Sequence, residues 1–336
     1  MKRADVLAVD GGNSKTDLAL VARDGSVLAL VRGRLSSPHH LGLEGCLAVL
    51  ESLLVEAVRE ADMQAPRVAE IAELLMAGVD FPSEEETLRD AVAARSWANR
   101  VRVGNDTFAV LRAGTDRAWG VAVTCGAGIN CVGVAPDGRH ARFPALGAIT
   151  GDWGGGYDLG LAAVSAAARS EDGRGPRTSL ERAVPAHFGL ATPSELAEAI
   201  HAGRIEQRRV IELAPLVLAE SADDAVAAEI VGRLAAEVVA LARVALTRLD
   251  LTNEPVEVVL GGGVLQDVDG DLLGAITSGL QEVAPAVVVR PTAAPAIVGA
   301  ALLGLDQLGA TADAQARLRR ELDARFRDLE GVATVG

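Results

Sequence analysis

The stretch AVDGGNSKTDLAL, residues 8–20, places one carboxylate, two glycines and several small polar residues between two apolar runs. Gly11 and Gly12 let the backbone turn sharply and approach a bound group, and consecutive N–H donors with the Ser14 and Thr16 hydroxyls can cradle phosphate oxygens. Asp10 ends a buried run, where a carboxylate is costly without a partner, and a hydrated Mg²⁺ is a natural one. The alternative is a hairpin turn in which Asp10 is only a turn former.

Two further glycine clusters extend this hypothesis from one phosphate turn to a nucleotide site. TCGAG at 124–128 occupies the equivalent place in a second set of strands, and Gly261–Gly263 ends a later apolar run. Each cluster could be a plain turn at a strand end, but three in this order favour a bound nucleotide. The candidate nucleotide-binding residues are Asp10 (also holding the metal through water), Gly11, Gly12, Asn13, Ser14, Lys15, Thr16, Thr124, Gly126, Ala127, Gly128, Gly261, Gly262 and Gly263. Lys15 is the only lysine beyond the N-terminal tail.

The elements that must position these turns follow one layout used twice. VLAVDGG, TDLALVAR and SVLALVRG read as three short strands, and WGVAVTCGAG, INCVGVAP and HARFPAL repeat the arrangement. Helices are predicted at 43–62, within SEEETLRDAVAA, near 154–170, 193–202, 223–250 and 271–283, and after Pro295; strands are predicted at IAELLMAGV, RVRVGND, VEVVLGGGV and AVVVRP. The pattern indicates a duplicated α/β fold, with SEDGRGPRT at 170–178 as a surface loop.

Composition limits the partners. The chain has 336 residues, a net charge of −14 and a pI near 4.9, so nucleic acid and anionic membrane are disfavoured by like charge. Cys46, Cys125 and Cys131 lack metal-ligand spacing and cannot all pair, which suits a reducing cytoplasm. We expect a cytoplasmic protein that binds a small molecule.

The motifs DGGNSKT, GND at 104–106, TCGAGINC, GDWGGGYDLG at 151–160 and LGGGV resemble those of the sugar-kinase, actin and Hsp70-like superfamily. Within it, the chain is similar to the BadF/BadG/BcrA/BcrD ATPase family and its N-acetylglucosamine kinases. The resemblance implies two ribonuclease-H-like domains hinged around a cleft that holds ATP and Mg²⁺. We place them at 1–115 and at 116–310, the latter with the nucleotide site, and expect a C-terminal helix at 311–336 to pack back on the first domain.

The resemblance also implies roles for individual residues. Asp106 corresponds to the catalytic carboxylate that accepts the sugar hydroxyl proton, although its place before a helix also fits an N-cap. Asp152, Asn130 and Asp80 are candidate sugar ligands, with loop capping as the alternative. Gly147 is added to the sugar site and Ser221 to the nucleotide site.

The sequence departs from the family in the loop SSPHHLG, where many relatives offer an asparagine to the sugar. His39 and His40 could contact sugar hydroxyls there or cap a loop. The departure leaves N-acetylglucosamine, phosphorylated at its 6-hydroxyl, as the expected acceptor and glucosamine or another hexose as alternatives.

A different class of function is an ATPase activator of a 2-hydroxyacyl-CoA dehydratase, which places a cysteine where Cys125 stands. Such an activator needs a second cysteine further downstream to hold an iron–sulfur cluster between two subunits, and none follows Cys131. An ATP-gated module of the Hsp70 kind is disfavoured because the chain carries the sugar-kinase-like GD motif. The long apolar helices and the chain's relatives predict a homodimer.

Overall fold

The computed structural model describes residues 3–64, 68–268 and 270–333, which form two compact units. Unit 1 consists of Met1–Trp119 and Ala294–Gly336, and unit 2 of Gly120–Ala293. The division predicted from the sequence differs for residues 294–310, which it assigned to the second domain. They belong to unit 1 because the helix at 296–307 packs on that unit's central strands and on its third helix.

The elements of unit 1 begin with three antiparallel strands and continue as alternating helices and strands. They are β1 (Val6–Gly11), β2 (Lys15–Val21), β3 (Val27–Arg34), α1 (Pro38–Glu60), β4 (Ala69–Met76), α2 (Pro82–Ala94), β5 (Ala98–Asn105) and α3 (Thr107–Gly114). The helix predicted at 43–62 starts earlier, at Pro38, with a non-helical residue at Gly42 (φ 68°).

The elements of unit 2 repeat this start and then add a group of helices. They are β6 (Gly120–Cys125), β7 (Ile129–Val134), β8 (His140–Arg142), a 3₁₀ turn (Gly147–Ile149), α4 (Gly155–Glu171), α5 (Leu180–His187), α6 (Pro193–His201), a 3₁₀ segment (Gln207–Leu213), α7 (Ala214–Glu220), α8 (Ala225–Arg248), β9 (Glu257–Gly261), α9 (Gly270–Gln281) and β10 (Val288–Pro291). Unit 1 is completed by α10 (Ala296–Gln307) and α11 (Ala312–Ala333).

The two five-stranded sheets share one topology. Their orders are β3-β2-β1-β4-β5 and β8-β7-β6-β9-β10, so each antiparallel three-strand meander is extended by strands parallel to its first strand. The predicted duplication is therefore confirmed. It matters for function because parallel strands bring their carboxyl ends to one edge of a sheet, where open α/β folds bind ligands.

The sheet of unit 1 is buried on both faces. Successive residues of β1 alternate between two clusters, Leu7 and Val9 packing with α1 and α2, Val6 and Ala8 with α3, α10 and α11. This explains why β1 reads as a continuous apolar run rather than an alternating one. The sheet is therefore the middle of three layers, with helices on both sides, and this packing holds the strand ends in place.

In unit 2, α8 packs on β6 and β7 and also contacts α9. Its N-terminus is held by Asp224, whose carboxylate accepts hydrogen bonds from the amides of Val226 and Ala227 at 2.9 Å. No helix within the described ranges is both long and apolar enough to span a bilayer.

Candidate active site

Three strands of unit 1 end at one edge of its sheet. Gly11 of β1 pairs with Met76 of β4, and Met76 pairs with Asn105 of β5. The segments that follow these strand ends carry Asp80 and Asp106, and Asp10 lies one residue before the end of β1. We call the three carboxylates, Asp10, Asp80 and Asp106, the acidic edge.

Asp106 is half-buried directly before α3, and its side chain makes no capping hydrogen bond to that helix. The amide of Thr107 instead donates to Oδ1 of Asn105 at 3.0 Å, and Nδ2 of Asn105 donates to Oδ1 of Asp80 at 2.8 Å. Burial, and then the neighbouring Asp80 carboxylate, raise the pKa of Asp106 to about 6. Asp106 therefore stands at the N-cap position predicted as its alternative role, but the side chain that accepts from the first amide of α3 is that of Asn105.

Asp10 is the most perturbed carboxyl group of the acidic edge. Burial first, and then the carboxylates of Asp106 and Asp17, raise its pKa to about 8 against the opposing effect of Lys15 and Arg32. Asp17 itself is paired with Arg32, whose Nε lies 2.7 Å from Oδ1. A carboxylate crowded by two others favours a cation beside it.

The first glycine turn, residues 11–14, is exposed at its tip. The amide of Gly12 donates to the carbonyl of Lys15 at 2.9 Å, which leaves Asn13, Ser14 and Lys15 facing solvent. Thr16 differs from the expectation of a phosphate ligand, because its buried hydroxyl donates to the Ser36 hydroxyl at 2.7 Å. It supports the turn from the side of the core.

His39 and His40 lie exposed in the first turn of α1. Gly78 comes so close to His39 that a Cβ at Gly78 would lie 2.9 Å from the Cβ of His39. The segment that leads to Asp80 therefore passes directly beside His39.

In unit 2, the second glycine turn, residues 126–128, is held by the segment 154–156. The amide of Gly156 donates to the carbonyl of Gly126 at 2.8 Å, and the amide of Tyr157 donates to the carbonyl of Ala127 at 3.0 Å. A Cβ on Gly155 (φ +83°) would lie 2.5 Å from the Ala127 carbonyl oxygen. By contrast, a Cβ on Gly126 or Gly128 would meet nothing within 4 Å, so the steric need for glycine is at Gly155.

The strand ends of unit 2 also meet at one edge. Thr124 of β6 pairs with Gly261 of β9, and a Cβ on Gly262 (φ +83°) would lie 2.5 Å from the carbonyl oxygen of Cys125. The buried Thr124 hydroxyl has no hydrogen-bond partner among the residues described. The edge thus combines packed glycine backbone with one unsatisfied hydroxyl.

Next to this edge lies a cavity of about 600 Å³ within unit 2, which we call the unit 2 cavity. It is lined by α7, α8, α9 and the segment after β9, and it brings together Ser221 and Gly263, two predicted nucleotide ligands. The Ser221 hydroxyl donates to the Leu218 carbonyl at 2.7 Å. The wall is largely apolar, as is typical of pockets that bind small molecules.

The remaining predicted sugar ligands lie on β7 and on the loop before α4. Oδ1 of Asn130 accepts from the Cys131 amide at 2.7 Å, and Asn130 is the register partner of Thr124. The amide of Asp152 donates to the carbonyl of Gly147 (φ +61°) at 3.0 Å, and its carboxylate accepts from the Thr150 hydroxyl.

Sequence reasoning did not identify four supporting residues. Asn105 and Glu84 hold Asp80, the latter because its Oε2 accepts from the Asp80 amide at 2.8 Å. Gly155 packs on the second glycine turn, and Asp158 accepts from the Gly154 amide at 2.9 Å. Three of them had a signal in the sequence: Asn105 lies inside GND, and Gly155 and Asp158 lie inside GDWGGGYDLG.

The fold and the two strand-end edges define the class of proteins to which the chain is similar, the ATPases built from duplicated ribonuclease-H-like units. Within this class, the family model of the BadF/BadG/BcrA/BcrD ATPase family matches residues 7–304. The chain belongs to that family.

Two relatives of the chain are named as amino sugar kinases. The chain is 28% identical over 265 residues to an N-acetylmuramic acid/N-acetylglucosamine kinase of Clostridium acetobutylicum, covering 79% of this chain and 86% of that one. It is 24% identical over 237 residues to an N-acetyl-D-glucosamine kinase of Dictyostelium discoideum, covering 66% and 72%.

Solved structures share the fold. A Chromobacterium violaceum protein proposed to be an N-acetylglucosamine kinase has a TM-score of 0.68 at 25% identity, covering 90% of this chain and 99% of that one. A ROK family glucokinase from Streptomyces griseus has a TM-score of 0.51 at 17% identity, covering 89% and 98%. The predicted fold class is confirmed by these matches.

Proposed function

We propose that the protein is an ATP-dependent kinase that phosphorylates an amino sugar, N-acetylglucosamine, at its 6-hydroxyl. The observation that carries the proposal is Asp106, a half-buried carboxyl group at the carboxyl edge of a sheet, whose side chain makes no capping hydrogen bond to α3 and whose pKa is raised to about 6 by burial and by Asp80. Family membership and the kinases among its relatives support the assignment.

Asp106 accepts the proton of the attacking sugar hydroxyl and aims its oxygen at the γ-phosphate. Phosphoryl transfer passes through a loose transition state, so orientation of the nucleophile matters more than early deprotonation. A pKa of about 6 leaves the group ionised at neutral pH while keeping it basic enough to take the proton late. Asp80, held by Asn105 and Glu84, is placed to accept from a second hydroxyl.

The residues of unit 1 fit a Mg²⁺ ion held through water by Asp10. The observation is the burial of this carboxyl group together with its crowding by Asp106 and Asp17, which raise its pKa and which a nearby cation would counteract. Over the described ranges, no three His, Cys, Asp or Glu side chains gather into a metal site. Mg²⁺ commonly uses one carboxylate together with water and nucleotide phosphates, and it neutralises phosphate charge.

The unit 2 cavity takes the adenosine, with Ser221 and Gly263 at its wall. The backbone amides of the second glycine turn, residues 126–128, and the unsatisfied Thr124 hydroxyl donate to phosphate oxygens. In unit 1, the amides and hydroxyl of Asn13 and Ser14 in the first glycine turn have the same role, and Lys15 adds a positive charge.

Asp152, Asn130, Gly147, His39 and His40 are proposed as further sugar contacts. Asp152 and Asn130 offer oxygen acceptors near the second glycine turn. We also propose that the enzyme works in the cytoplasm and that it forms a homodimer. Light scattering of the purified protein would check the homodimer.

The activator function is less well supported. Cys125 is buried, and burial raises the pKa of its thiol to about 12, which opposes the thiolate form that an iron–sulfur cluster needs. Iron content and visible absorbance of anaerobically purified protein would reveal a cluster.

The deciding experiment is a coupled ADP-release assay with Mg²⁺ across glucose, glucosamine, N-acetylglucosamine and N-acetylmuramic acid. We expect the highest kcat/KM for N-acetylglucosamine, with its 6-phosphate as the product by ³¹P NMR. ADP release that is independent of every sugar would contradict a sugar kinase.

A further inference from the structure

One segment of unit 2 carries two of the proposed sugar contacts, and its hydrogen bonds do not attach it to the rest of that unit. We call residues 143–154, between β8 and α4, the β8–α4 loop; it contains Gly147 and Asp152. Each hydrogen bond that residues 144–152 form with described residues stays inside the loop, and several of these bonds end on the Gly147 carbonyl. The hydrogen bonds therefore shape the loop without fixing its place.

Both ends of the β8–α4 loop are attached to α8 by an arginine that lies over an aromatic ring. The guanidinium carbon of Arg248 lies 5.2 Å from the centre of the Phe143 ring, and that of Arg233 lies 4.0 Å from the centre of the Trp153 ring. The closer of these two cation–π contacts is made by the residue that directly follows Asp152.

Arg233 stacks on Trp153 although two carboxylates neighbour it on its own helix. Glu229 and Glu237 lie four residues before and after Arg233, a spacing that favours ion pairs on a helix surface. Among the described residues, neither glutamate forms an ion pair with Arg233. A guanidinium over an indole contributes more than an exposed ion pair at this spacing, so the contact with Trp153 sets the direction of the arginine.

The stack reaches Asp152 through the backbone of Trp153. Among the described residues, the Asp152 carboxylate has one partner, the Thr150 hydroxyl, which belongs to the same loop. The direction of this carboxylate thus depends on where the loop ends, and the contact of Trp153 with Arg233 holds that end. Without the stack, the carboxylate would have to be ordered when a ligand binds, which costs affinity.

We propose that Arg233 is a positioning residue, which by stacking on Trp153 holds Asp152 in the orientation that accepts hydrogen bonds from sugar hydroxyls. Asp152 is a sugar contact only under the proposed kinase function, on which this positioning role rests. Neither Arg233 nor Trp153 touches the sugar. Loss of the stack therefore weakens sugar binding and leaves nucleotide binding and the chemical step unchanged.

The test removes the stack from the side of α8. Arg233→Ala should raise the KM for N-acetylglucosamine about two- to thirtyfold, the range that a cation–π contact on an indole supplies. Arg233→Lys keeps a cation over the ring and should restore most of the wild-type KM. Arg243→Ala, the same substitution at an exposed position of the same helix, is the matched control and should behave as wild type.

The KM for ATP separates positioning from damage to α8. Val231 and Gly232, next to Arg233 on that helix, line the unit 2 cavity, which is the proposed adenosine site. A disturbed helix would raise the KM for ATP as well as that for the sugar, and this outcome would overturn the positioning role. Loss of positioning raises the KM for the sugar alone and leaves kcat within about twofold of wild type.

A double-mutant cycle identifies the partner of Arg233. Trp153→Leu keeps an apolar side chain without the indole ring, and adding Arg233→Ala to it should raise the KM for the sugar no further. Calorimetric binding of N-acetylglucosamine to the same variants measures the affinity without turnover.

Two results would overturn the positioning role while an active wild type leaves the kinase function standing. One is an Arg233→Ala variant with the wild-type KM and affinity for N-acetylglucosamine, and the other is full additivity in the cycle with Trp153→Leu. A wild type that neither binds N-acetylglucosamine nor phosphorylates it would overturn the kinase function and the positioning role together.

Discussion

The carboxyl edges of the two sheets have the same strand order but different chemistry. The edge of unit 1 carries Asp10, Asp80 and Asp106, two of which have raised pKa values. The edge of unit 2 is made of glycine backbone, a buried hydroxyl and an adjacent apolar cavity. Under the proposed function the duplicated fold divides its work: the proton acceptor lies at the edge of unit 1 and the adenosine site in unit 2, while each unit contributes one glycine turn to the phosphates.

The largest expected effect is on the acidic edge. Asp106→Asn should lower kcat by about 10² to 10⁴ because the proton acceptor is lost, while affinity for a non-hydrolysable ATP analogue stays nearly unchanged. Steady-state ADP release and calorimetry check this. Asp116→Asn, a 99% exposed position, is the matched control and should behave as wild type.

The next effect tests the backbone of unit 2. Gly262→Ala forces a Cβ within 2.5 Å of the Cys125 carbonyl at a φ of +83°, so we expect a loss of about 2 to 4 kcal/mol in the free energy of unfolding. Gly128→Ala meets nothing within 4 Å and should cost little stability. Urea titration of both variants measures these losses in the free energy of unfolding. Equal losses in the two variants would show that the close approach at Gly262 is not the cause.

Much of the fold, with its two sheets and their strand-end edges, could be predicted from the sequence. The two meanders and the parallel strands have strong apolar runs, so the sheets and their edges followed from pattern alone. The short helices α5 and α7 were not predicted, because each is stabilised by its neighbours in unit 2 rather than by a long periodic face.

The details of the site were harder to read. Glycine-rich motifs indicate tight turns but not which glycine is indispensable, and contacts between distant segments place that need at Gly155 and Gly262. Likewise, GND suggested Asp106 as the capping residue, whereas in the structure the Thr107 amide donates to Asn105 and the Asp106 side chain makes no capping hydrogen bond. The side-chain direction of Thr16 depended on Ser36, twenty residues away.

A smaller effect concerns stability and pH in unit 1. Burial raises the pKa of Glu73 to about 7, above its ordinary 4.5, so its contribution to stability is present below about pH 4.5 and is lost as pH rises through 7. Glu73→Gln should therefore be more stable than wild type by about 1 to 3 kcal/mol at pH 8, with a smaller difference at pH 5. Denaturant melts at both pH values check this, with Glu51→Gln, at an exposed position of α1, as the control; a difference that does not change with pH would contradict the cause.

The smallest effect is a shift in a pH profile. If Asp106 must be ionised, kcat/KM should fall as pH drops below about 6, and Asp80→Asn should move that limb to lower pH by up to about one unit because a neighbouring negative charge is removed. Asp90→Asn, on the exposed face of α2, should leave the limb in place. A limb that does not move in Asp80→Asn would separate Asp80 from the titration of Asp106.

The most direct measurement of the division of work is an ATP titration of sugar-dependent ADP release for Asp106→Asn and Gly262→Ala, each at saturating sugar. We predict that Asp106→Asn lowers kcat with little change in KM for ATP, and that Gly262→Ala raises KM for ATP with kcat near that of wild type. If both variants lower kcat alike and leave KM for ATP unchanged, the two edges do not have separate roles.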